Sequence, residues 1–341
     1  MKRHGNLWDA VTHPDNIAEA YRRAKKGKSW QRHVKDFELD VPGNLLRIQK
    51  LLCTGVYSTS SYRTKTVYKP KKRDIYVLPF YPDRVVQHAL LQILVPIWDA
   101  LMIPDSYACR TGRGMHDASR KTMQYVRKYK YCFKADISKF YPSVNHTILL
   151  HVLERKIKCK RTLTLLENIV RSYPGESNVP IGNYTSQWFG NLYMNELDQW
   201  LLHTHKVKAY VRYCDDFVTF SNDKAELQKL QQLVKAFLKE HLKLQFSKWI
   251  VFPVTQGVDF VGYRHFPNKV LLRTSTARRA KKRMQTLLPK FSRGELTLDQ
   301  CRSSIASTEG WIKWACTYNL RAALQLRELK GQLECMVSLN T

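Results

Sequence analysis

The spacing of apolar and polar residues divides the 341-residue chain into helical and extended segments. Helices are predicted where apolar residues recur every three or four positions, at 14–26, 42–54, 83–98, 146–157, 162–172, 185–203 and 223–243. Strands are predicted where β-branched and aromatic residues cluster or alternate, at 64–67, 73–78, 132–137, 209–221, 244–252 and 258–265. The remainder to residue 341 has a helical pattern. This order of elements indicates an α+β fold with helices packed on one face of an antiparallel sheet.

Carboxylates stand at the ends of two of these predicted strands. Alternation along 132–137 places Asp136 on the face opposite its buried neighbours. The 209–221 segment consists of two β-rich runs joined at Asp215 and Asp216, which predicts a hairpin with a carboxylate pair at its tip. Asp is a common turn residue, so a plain turn is the simplest explanation of the pair. Adjacent carboxylates nevertheless repel each other unless a raised pKa or a bound cation compensates.

The three carboxylates together indicate a metal site. Neighbouring strands with carboxylates at matching ends can hold two Mg²⁺ ions about 3.5–4 Å apart for phosphoryl or nucleotidyl transfer. Mg²⁺ prefers carboxylate and phosphate oxygens, so a site without His or Cys suits it. We therefore expect two Mg²⁺ ions, with Mn²⁺ as a substitute.

The net charge of the chain indicates what kind of partner it binds. Lys and Arg number 57 against 28 Asp and Glu, which gives +29 and an isoelectric point near 9.9. Such an excess favours a polyanionic partner. Three basic runs, 63–73, 110–134 and 271–294, are candidate walls of one nucleic-acid groove, although each run alone is also explained by a solvated face.

The location of the protein is predicted from what the sequence lacks. No run of 18 uncharged apolar residues is present, so a membrane-spanning helix is not expected. The N-terminal residues have no apolar segment of a secretion signal. The eight cysteines include no CxxC pair, which argues against a zinc ribbon. We expect a cytoplasmic protein, encoded by a bacterium or a phage.

Six segments of the sequence resemble the motifs of reverse transcriptases, and they follow in the family's order: 71–75, 83–87, 106–118, 133–141, 213–216 and 257–263. Among these, Tyr213-Cys214-Asp215-Asp216 resembles the YxDD box. The resemblance implies an RNA-directed DNA polymerase with the right-hand polymerase fold. It also implies an N-terminal helical extension and fingers at 1–130, a palm at 131–265 with finger-side helices inserted at about 146–175, and a helical thumb at 266–341.

The resemblance further implies a role for individual residues. The metal ions would be held by Asp136, Ile137, Asp215 and Asp216, and the aspartates with Lys248 would be catalytic, the lysine as a general acid for pyrophosphate. The incoming dNTP would be bound by Arg73, Lys65, Tyr141, Ile181, Gly182 and Gln187, with Tyr141 excluding a ribose 2′-hydroxyl. The template–primer backbone would be contacted by Arg278, Arg279, Lys281, Lys282 and Arg283. Core packing of Tyr141 and a solvated position of Arg73 or Lys65 are the alternatives.

One segment indicates which subfamily of reverse transcriptases the chain resembles. Most reverse transcriptases have Pro-Gln-Gly before the long palm helix, whereas this chain has Pro180-Ile181-Gly182 followed by Asn183. That pattern resembles the reverse transcriptases of diversity-generating retroelements, which copy a template-repeat RNA with errors at adenines. The resemblance implies template RNA, a cDNA or primer strand, dNTPs and a small basic accessory protein, alone or as an oligomer, as partners. Retron-like and group II intron-like enzymes, or a non-catalytic RNA-binding protein on a polymerase fold, are the alternatives.

Overall fold

The computed structural model describes residues 3–68 and 72–338 and confirms the α+β class. The predicted turn at 70–72 falls partly outside these residues, as do Lys69 and Lys71 of the first basic run. The helices are α1 Trp8–Thr12, α2 Pro14–Lys25, α3 Arg32–Glu38, α4 Val41–Cys53, α5 Val85–Asp99, α6 Met115–Lys128, α7 Phe140–Ser143, α8 His146–Glu154, α9 Lys160–Val170, α10 Tyr184–His203, α11 Lys224–His241, α12 Thr274–Gln285, α13 Leu287–Ser292, α14 Leu298–Lys313, α15 Tyr318–Leu324 and α16 Leu326–Ser338. The strands are β1 Arg63–Val67, β2 Arg73–Val77, β3 Tyr131–Ile137, β4 Tyr210–Tyr213, β5 Asp216–Ser221, β6 Phe246–Pro253, β7 Val258–Phe260, β8 Tyr263–Phe266 and β9 Lys269–Leu272.

These strands form three sheets. Strands β1 and β2 pair with each other, and β7, β8 and β9 form an antiparallel meander. The four-stranded sheet has the order β4-β5-β3-β6. Asp136 lies on β3, and β5 begins at Asp216.

The chain divides into two compact units. Unit 1 comprises Met1–Gly112, Ala135–Lys208 and Leu230–Trp249, and unit 2 comprises Arg113–Lys134, Ala209–Lys229 and Ile250–Thr341. The division passes through β3 and through β6. The predicted boundaries of fingers, palm and thumb remain a prediction.

Helix α10 forms the centre of unit 1. Most of its side chains are buried, because it contacts both α5 and α8. Two of its polar side chains bind distant backbone groups: the Tyr193 hydroxyl donates to the carbonyl oxygen of Leu242 at 2.6 Å, and the Asn191 amide donates to that of Ala108 at 2.8 Å. The helix therefore fixes the position of the segment that immediately precedes it, residues 180–183.

Unit 2 has its own apolar core. The core of its C-terminal part includes Tyr263 of β8, Met284 of α12, Ile305 of α14 and Leu333 of α16. Helix α6 contacts β4 and β8. None of the helices among the described residues is long and apolar enough to cross a membrane.

The sequence interpretation was wrong at several local points. Helices α1, α3, α6 and α7 were not predicted, and α6 lay inside a run considered mainly for its charge. Strand β9 lies in the C-terminal remainder that was predicted to be helical. The predicted strand at 258–265 is two strands, because Val261 and Gly262 both have positive φ and reverse the chain. The turn of the β4–β5 hairpin is Cys214-Asp215 and not Asp215-Asp216, because Asp216 already pairs with Tyr213.

Candidate active site

Asp136 is half-buried on β3, and its carboxylate is held by a neighbour within unit 1. The Ser247 hydroxyl of β6 donates to Asp136 Oδ2 at 2.7 Å. Next to it, the backbone N–H of Ser138 donates to the carbonyl oxygen of Gln245 at 2.8 Å. The serine hydroxyl orients the carboxylate, and the backbone bond holds the two chain segments together beside it. Ser247 was not among the predicted site residues, since only the strand pairing brings it to Asp136.

Asp215 and Asp216 are half-buried at the β4–β5 hairpin of unit 2. Cys214 adopts φ 56°, which allows the tight turn. Arg212, whose side chain is completely buried, donates through Nη1 to the Cys214 carbonyl oxygen at 2.9 Å. This hydrogen bond stabilises the turn that carries the carboxylate pair. An arginine within the apolar run of β4 was the sequence signal for this support, and the sequence interpretation missed it.

The Ile181-Gly182 pair lies against strand β2. The backbone N–H of Tyr76 donates to the Ile181 carbonyl oxygen at 2.7 Å. Gly182 has φ +125°, and a Cβ there would lie 2.4 Å from the Tyr76 carbonyl oxygen. Glycine is therefore required at 182, both by the backbone conformation and by the close approach. The Ile181 side chain is half-buried.

The two predicted triphosphate residues share one face of the β1–β2 hairpin. Lys65 pairs with Ile75, and Arg73 is two positions before Ile75 on the same strand. Cross-strand partners and residues two apart point to the same face. Ile75 Cγ2 lies 3.1 Å from the position that a Cβ of Gly182 would occupy. The structure thus brings exposed Lys65 and Arg73 onto the face that meets Gly182.

Tyr141 is half-buried against α10. Its Cε1 lies 3.2 Å from the position of a Cβ at Gly190, and its ring packs on Phe140 at a centroid distance of 5.2 Å. The missing side chain at Gly190 leaves room for the tyrosine ring. Gln187 is exposed on α10 three residues earlier, on the same face of the helix. The Tyr141 carbonyl oxygen accepts from the Val179 N–H at 3.0 Å, which connects it to the chain leading into Ile181.

Of the remaining predicted residues, Ile137 at the end of β3 is buried and the others are exposed. Lys248 directly follows Ser247 on β6, so its side chain points away from the face on which Ser247 meets Asp136. Its role as a general acid stays a prediction. The basic side chains of α12 lie opposite the buried Ala280 and Met284. The exposed set is Arg278, Arg279, Lys281, Lys282 and Arg283, of which Arg283 also donates to the Thr308 hydroxyl at 2.7 Å.

The Asp136 carboxylate, with its ordering serine hydroxyl, and the carboxylates of Asp215 and Asp216 are ligand types that suit a hard divalent cation. No group of three His, Cys, Asp or Glu side chains positioned around a metal ion is found in the part of the chain that the structure describes. Mg²⁺ sites of this chemistry use one or two carboxylates together with substrate phosphates rather than an all-protein cage. Asp136 in unit 1 and the Asp215–Asp216 pair in unit 2 each offer carboxylate oxygens of the kind such a cation uses.

Comparison with known proteins shows the family of this chain. The sequence model described as "Reverse transcriptase (RNA-dependent DNA polymerase)" matches residues 65–265, more than half of the chain. The protein YkfC of Escherichia coli K12 is 25% identical over 312 residues, covering 74% of this chain and 81% of YkfC. The group II intron-encoded protein LtrA of Lactococcus lactis is 20% identical over 291 residues, covering 64% of this chain and 49% of LtrA.

A structural relative is the telomerase of Candida albicans, in a structure with a fragment of telomeric RNA. The likeness has a TM-score of 0.50 at 13% sequence identity and covers 79% of this chain and 60% of the telomerase chain. The chain spans about half the length of LtrA and a larger part of YkfC.

The fold is that of the right-hand polymerases, as the sequence predicted. Within that class, the chain belongs to the reverse transcriptase family. The predicted enzyme class, an RNA-directed DNA polymerase, is thereby confirmed. Divalent metal ions are in general use in this family.

Proposed function

We propose that this chain copies an RNA template into cDNA by adding dNTPs to a primer strand. The observation that carries the proposal is the match of the reverse transcriptase sequence model to residues 65–265, a range that contains all three aspartates. Asp136, Asp215 and Asp216, with the main chain of Ile137, would hold Mg²⁺ or Mn²⁺. When bound, these ions would neutralise charge that develops on the phosphate oxygens and orient the reacting groups.

The chain's own residues would position the substrates. The exposed cations Lys65 and Arg73 would bind the triphosphate, to which an arginine can donate two parallel hydrogen bonds. Tyr141 would close the space beside the ribose 2′-carbon, and Ile181 and Gly182 would face the templating base pair with Gln187 nearby. Lys248 would donate a proton to the leaving pyrophosphate.

Replacement of Asp216 by Asn tests the catalytic assignment. The variant keeps the shape of the side chain but loses one negative charge, so primer extension on an RNA template should fall at least ~100-fold. Asp223→Asn is the matched control, because Asp223 caps the next helix through its Oδ1 and an asparagine preserves that bond. Extension by Asp216→Asn at the rate of the control would refute the proposal.

At a finer level, we propose that the enzyme belongs to a diversity-generating retroelement and is error-prone at template adenines. The support is Ile181, which replaces an amide by a side chain with neither donor nor acceptor. The site would then select the incoming nucleotide by shape alone. Shape separates substrates of nearly equal size by only ~1–3 kcal/mol of free energy. The partners would be a template-repeat RNA and a small basic accessory protein, and the location would be the cytoplasm.

Ile181→Gln tests this finer proposal. Because the Ile181 contact with β2 uses the backbone carbonyl, the substitution leaves that hydrogen bond in place. We expect misincorporation opposite adenine to fall while the other template bases change less. The measurement is sequencing of cDNA made by both proteins on one template. Equal adenine error rates in an active variant would contradict the proposed role.

A group II intron-type activity is the second candidate, because LtrA and nuclear intron maturases of Arabidopsis thaliana are among the relatives. The neighbouring DNA distinguishes the two. A pair of near-identical repeats that differ mainly at adenines of one copy favours the retroelement, whereas flanking intron sequence favours the second candidate.

A further inference from the structure

The segment that leads into α10 is held by a tyrosine to which the proposed function gives no role. Tyr62 lies in unit 1 immediately before β1, and its hydroxyl accepts from the side-chain amide of Asn183 at 2.8 Å. The same hydroxyl lies 2.6 Å from Ser172 Oγ, just after α9. Ser172 donates its own proton to the Ile169 carbonyl oxygen at 2.6 Å, so Tyr62 is the donor to Ser172. One hydroxyl thus joins the start of β1, the end of α9 and the start of α10.

The side chain of Asn183 does not serve the helix that it precedes. An asparagine at this position commonly accepts a hydrogen bond from a backbone N–H of the first helical turn. Asn183 makes no such bond to α10, and its buried side chain donates to Tyr62 instead, 121 positions away in the sequence. The contact therefore fixes where the chain enters α10 rather than capping the helix.

A second tyrosine holds the same segment through its backbone. The Tyr76 N–H donates to the Ile181 carbonyl oxygen at 2.7 Å, and the Tyr76 carbonyl oxygen leaves no room for a side chain at Gly182. The rings of Tyr62 and Tyr76 pack edge to face, with 6.0 Å between centroids and an interplanar angle of 78°. Each residue from 181 to 183 therefore contacts one of two tyrosines that also contact each other.

The chain that carries Tyr62 is itself held by buried polar groups. The carboxylate of Asp83, which is completely buried, accepts through Oδ1 from the Ser60 N–H at 3.0 Å. The N–H and the hydroxyl of Thr59 both donate to Asn168 Oδ1 of α9, at 3.0 and 2.8 Å. The position of the Tyr62 hydroxyl is therefore set by contacts with two other parts of unit 1.

We propose that Tyr62 is a positioning residue, which acts through Asn183 to fix the 181–182 segment for the incoming dNTP. The inference rests on the proposed function, in which residues 181 and 182 face the templating base pair. Loss of the Tyr62 hydroxyl would release one end of the segment and leave the bond to Tyr76 in place. A looser segment would bind the correct dNTP less tightly. It would also accept mismatches at all four template bases, whereas Ile181→Gln is expected to act mainly at adenine.

Tyr62→Phe removes the hydroxyl and keeps the ring, and Tyr173→Phe is the matched control. The Tyr173 ring lies 6.3 Å from that of Tyr62, and its hydroxyl is 3.5 Å from the Tyr76 hydroxyl, beyond the usual length of such a bond. In single-nucleotide extension on an RNA template, the KM for the correct dNTP should rise about threefold to tenfold in Tyr62→Phe, with kcat nearly unchanged. The control should keep both values.

The alternative is that Tyr62 only stabilises the fold. In that case Tyr62→Phe would lower kcat through a smaller active fraction and would leave KM and the error rate at the wild-type values. That result would overturn the proposal.

Asn183→Ala tests whether Tyr62 acts through the asparagine. Both substitutions break the same hydrogen bond, so the double variant should raise KM no more than either single variant does. If the two single effects multiply in the double variant, the proposed route through Asn183 is wrong.

Hydrogen exchange without substrates separates this inference from the polymerase proposal. The amides of residue 76 and of residues 178–186 should exchange faster in Tyr62→Phe than in wild type, and Tyr173→Phe should match wild type. If wild type extends no primer, faster exchange in Tyr62→Phe would keep the positioning of the 181–182 segment and remove the polymerase proposal. Equal exchange in all three proteins would overturn the positioning role.

Discussion

At the scale of single residues, the candidate site depends on places where a side chain is missing. Gly182 and Gly190 each leave room for a neighbour, the first for the backbone of β2 and the second for the ring of Tyr141. Neither requirement follows from local chain geometry alone, because the neighbour in each case comes from a distant part of the sequence.

Gly182→Ala should destabilise the protein more than a substitution at an open glycine. A Cβ at 182 would overlap the Tyr76 carbonyl oxygen in addition to disfavouring φ +125°. The expected extra loss is about 1–3 kcal/mol in the free energy of unfolding, measured by urea denaturation. Gly112→Ala is the control, since Gly112 also has positive φ but no atom within 4 Å of its Cβ position. Equal losses would mean that the β2 contact is not close in solution.

Tyr141→Ala should relax the choice of sugar. Removal of the ring opens the space beside Gly190, so the ratio of kcat/KM for dNTP over rNTP should fall roughly tenfold to 100-fold. Tyr141→Phe keeps the ring and should keep the ratio. The measurement is single-nucleotide extension with both sugars. A ratio unaffected by Tyr141→Ala would show that Tyr141 only packs against α10.

At the scale of elements, helix α12 packs into the core of unit 2 with one face and exposes basic side chains on the other. Ala280 and Met284 belong to the buried side of unit 2, while the cations of the helix are exposed. The apolar period predicts which face packs, and the remaining face carries the charge. The predicted β4–β5 turn was wrong by one residue for a different reason. The tendency of residues to form strands or turns does not by itself fix which residues pair in a hairpin.

Replacing three exposed cations of α12, Arg278, Lys281 and Lys282, by Gln should flatten the salt dependence of binding to an RNA–DNA duplex. If each contacts a phosphate, the slope should fall by about 2–3. The control replaces three exposed lysines of α11, Lys224, Lys229 and Lys239, and removes the same charge. The same change of slope in both variants would reflect net charge and not a binding face.

At the scale of the whole molecule, stability should depend on a buried histidine of unit 2. His265 is completely buried, its Nδ1 donates to the Val258 carbonyl oxygen at 3.0 Å, and its Nε2 lies 2.7 Å from the Ser119 hydroxyl. The Ser119 oxygen in turn accepts from Trp314 Nε1 at 2.8 Å. Since Nδ1 must carry the proton that a carbonyl accepts, Nε2 accepts from Ser119. The chain of bonds therefore requires neutral His265.

Burial lowers the pKa of His265 to about 4, below the value near 6.5 of an unfolded chain. The unfolded state consequently binds more protons between these values, so the stabilisation is complete above pH 6.5 and is lost as the pH falls towards 4. The loss is about 3 kcal/mol. Urea denaturation at several pH values should show a weaker pH dependence for His265→Asn than for wild type. His203→Asn, at an exposed histidine, should retain the wild-type dependence.

The sequence by itself determined the α+β class, most helices and strands, and the motifs that identify the family. The elements follow from the local periodicity of apolar residues, and the family follows from short motifs that occur in a fixed order along the chain. The tertiary structure alone decided that Ser247 orients Asp136 and that Tyr76 excludes a side chain at 182. Such contacts join residues more than a hundred positions apart, and their partners are set by strand pairing and packing, which local patterns do not encode.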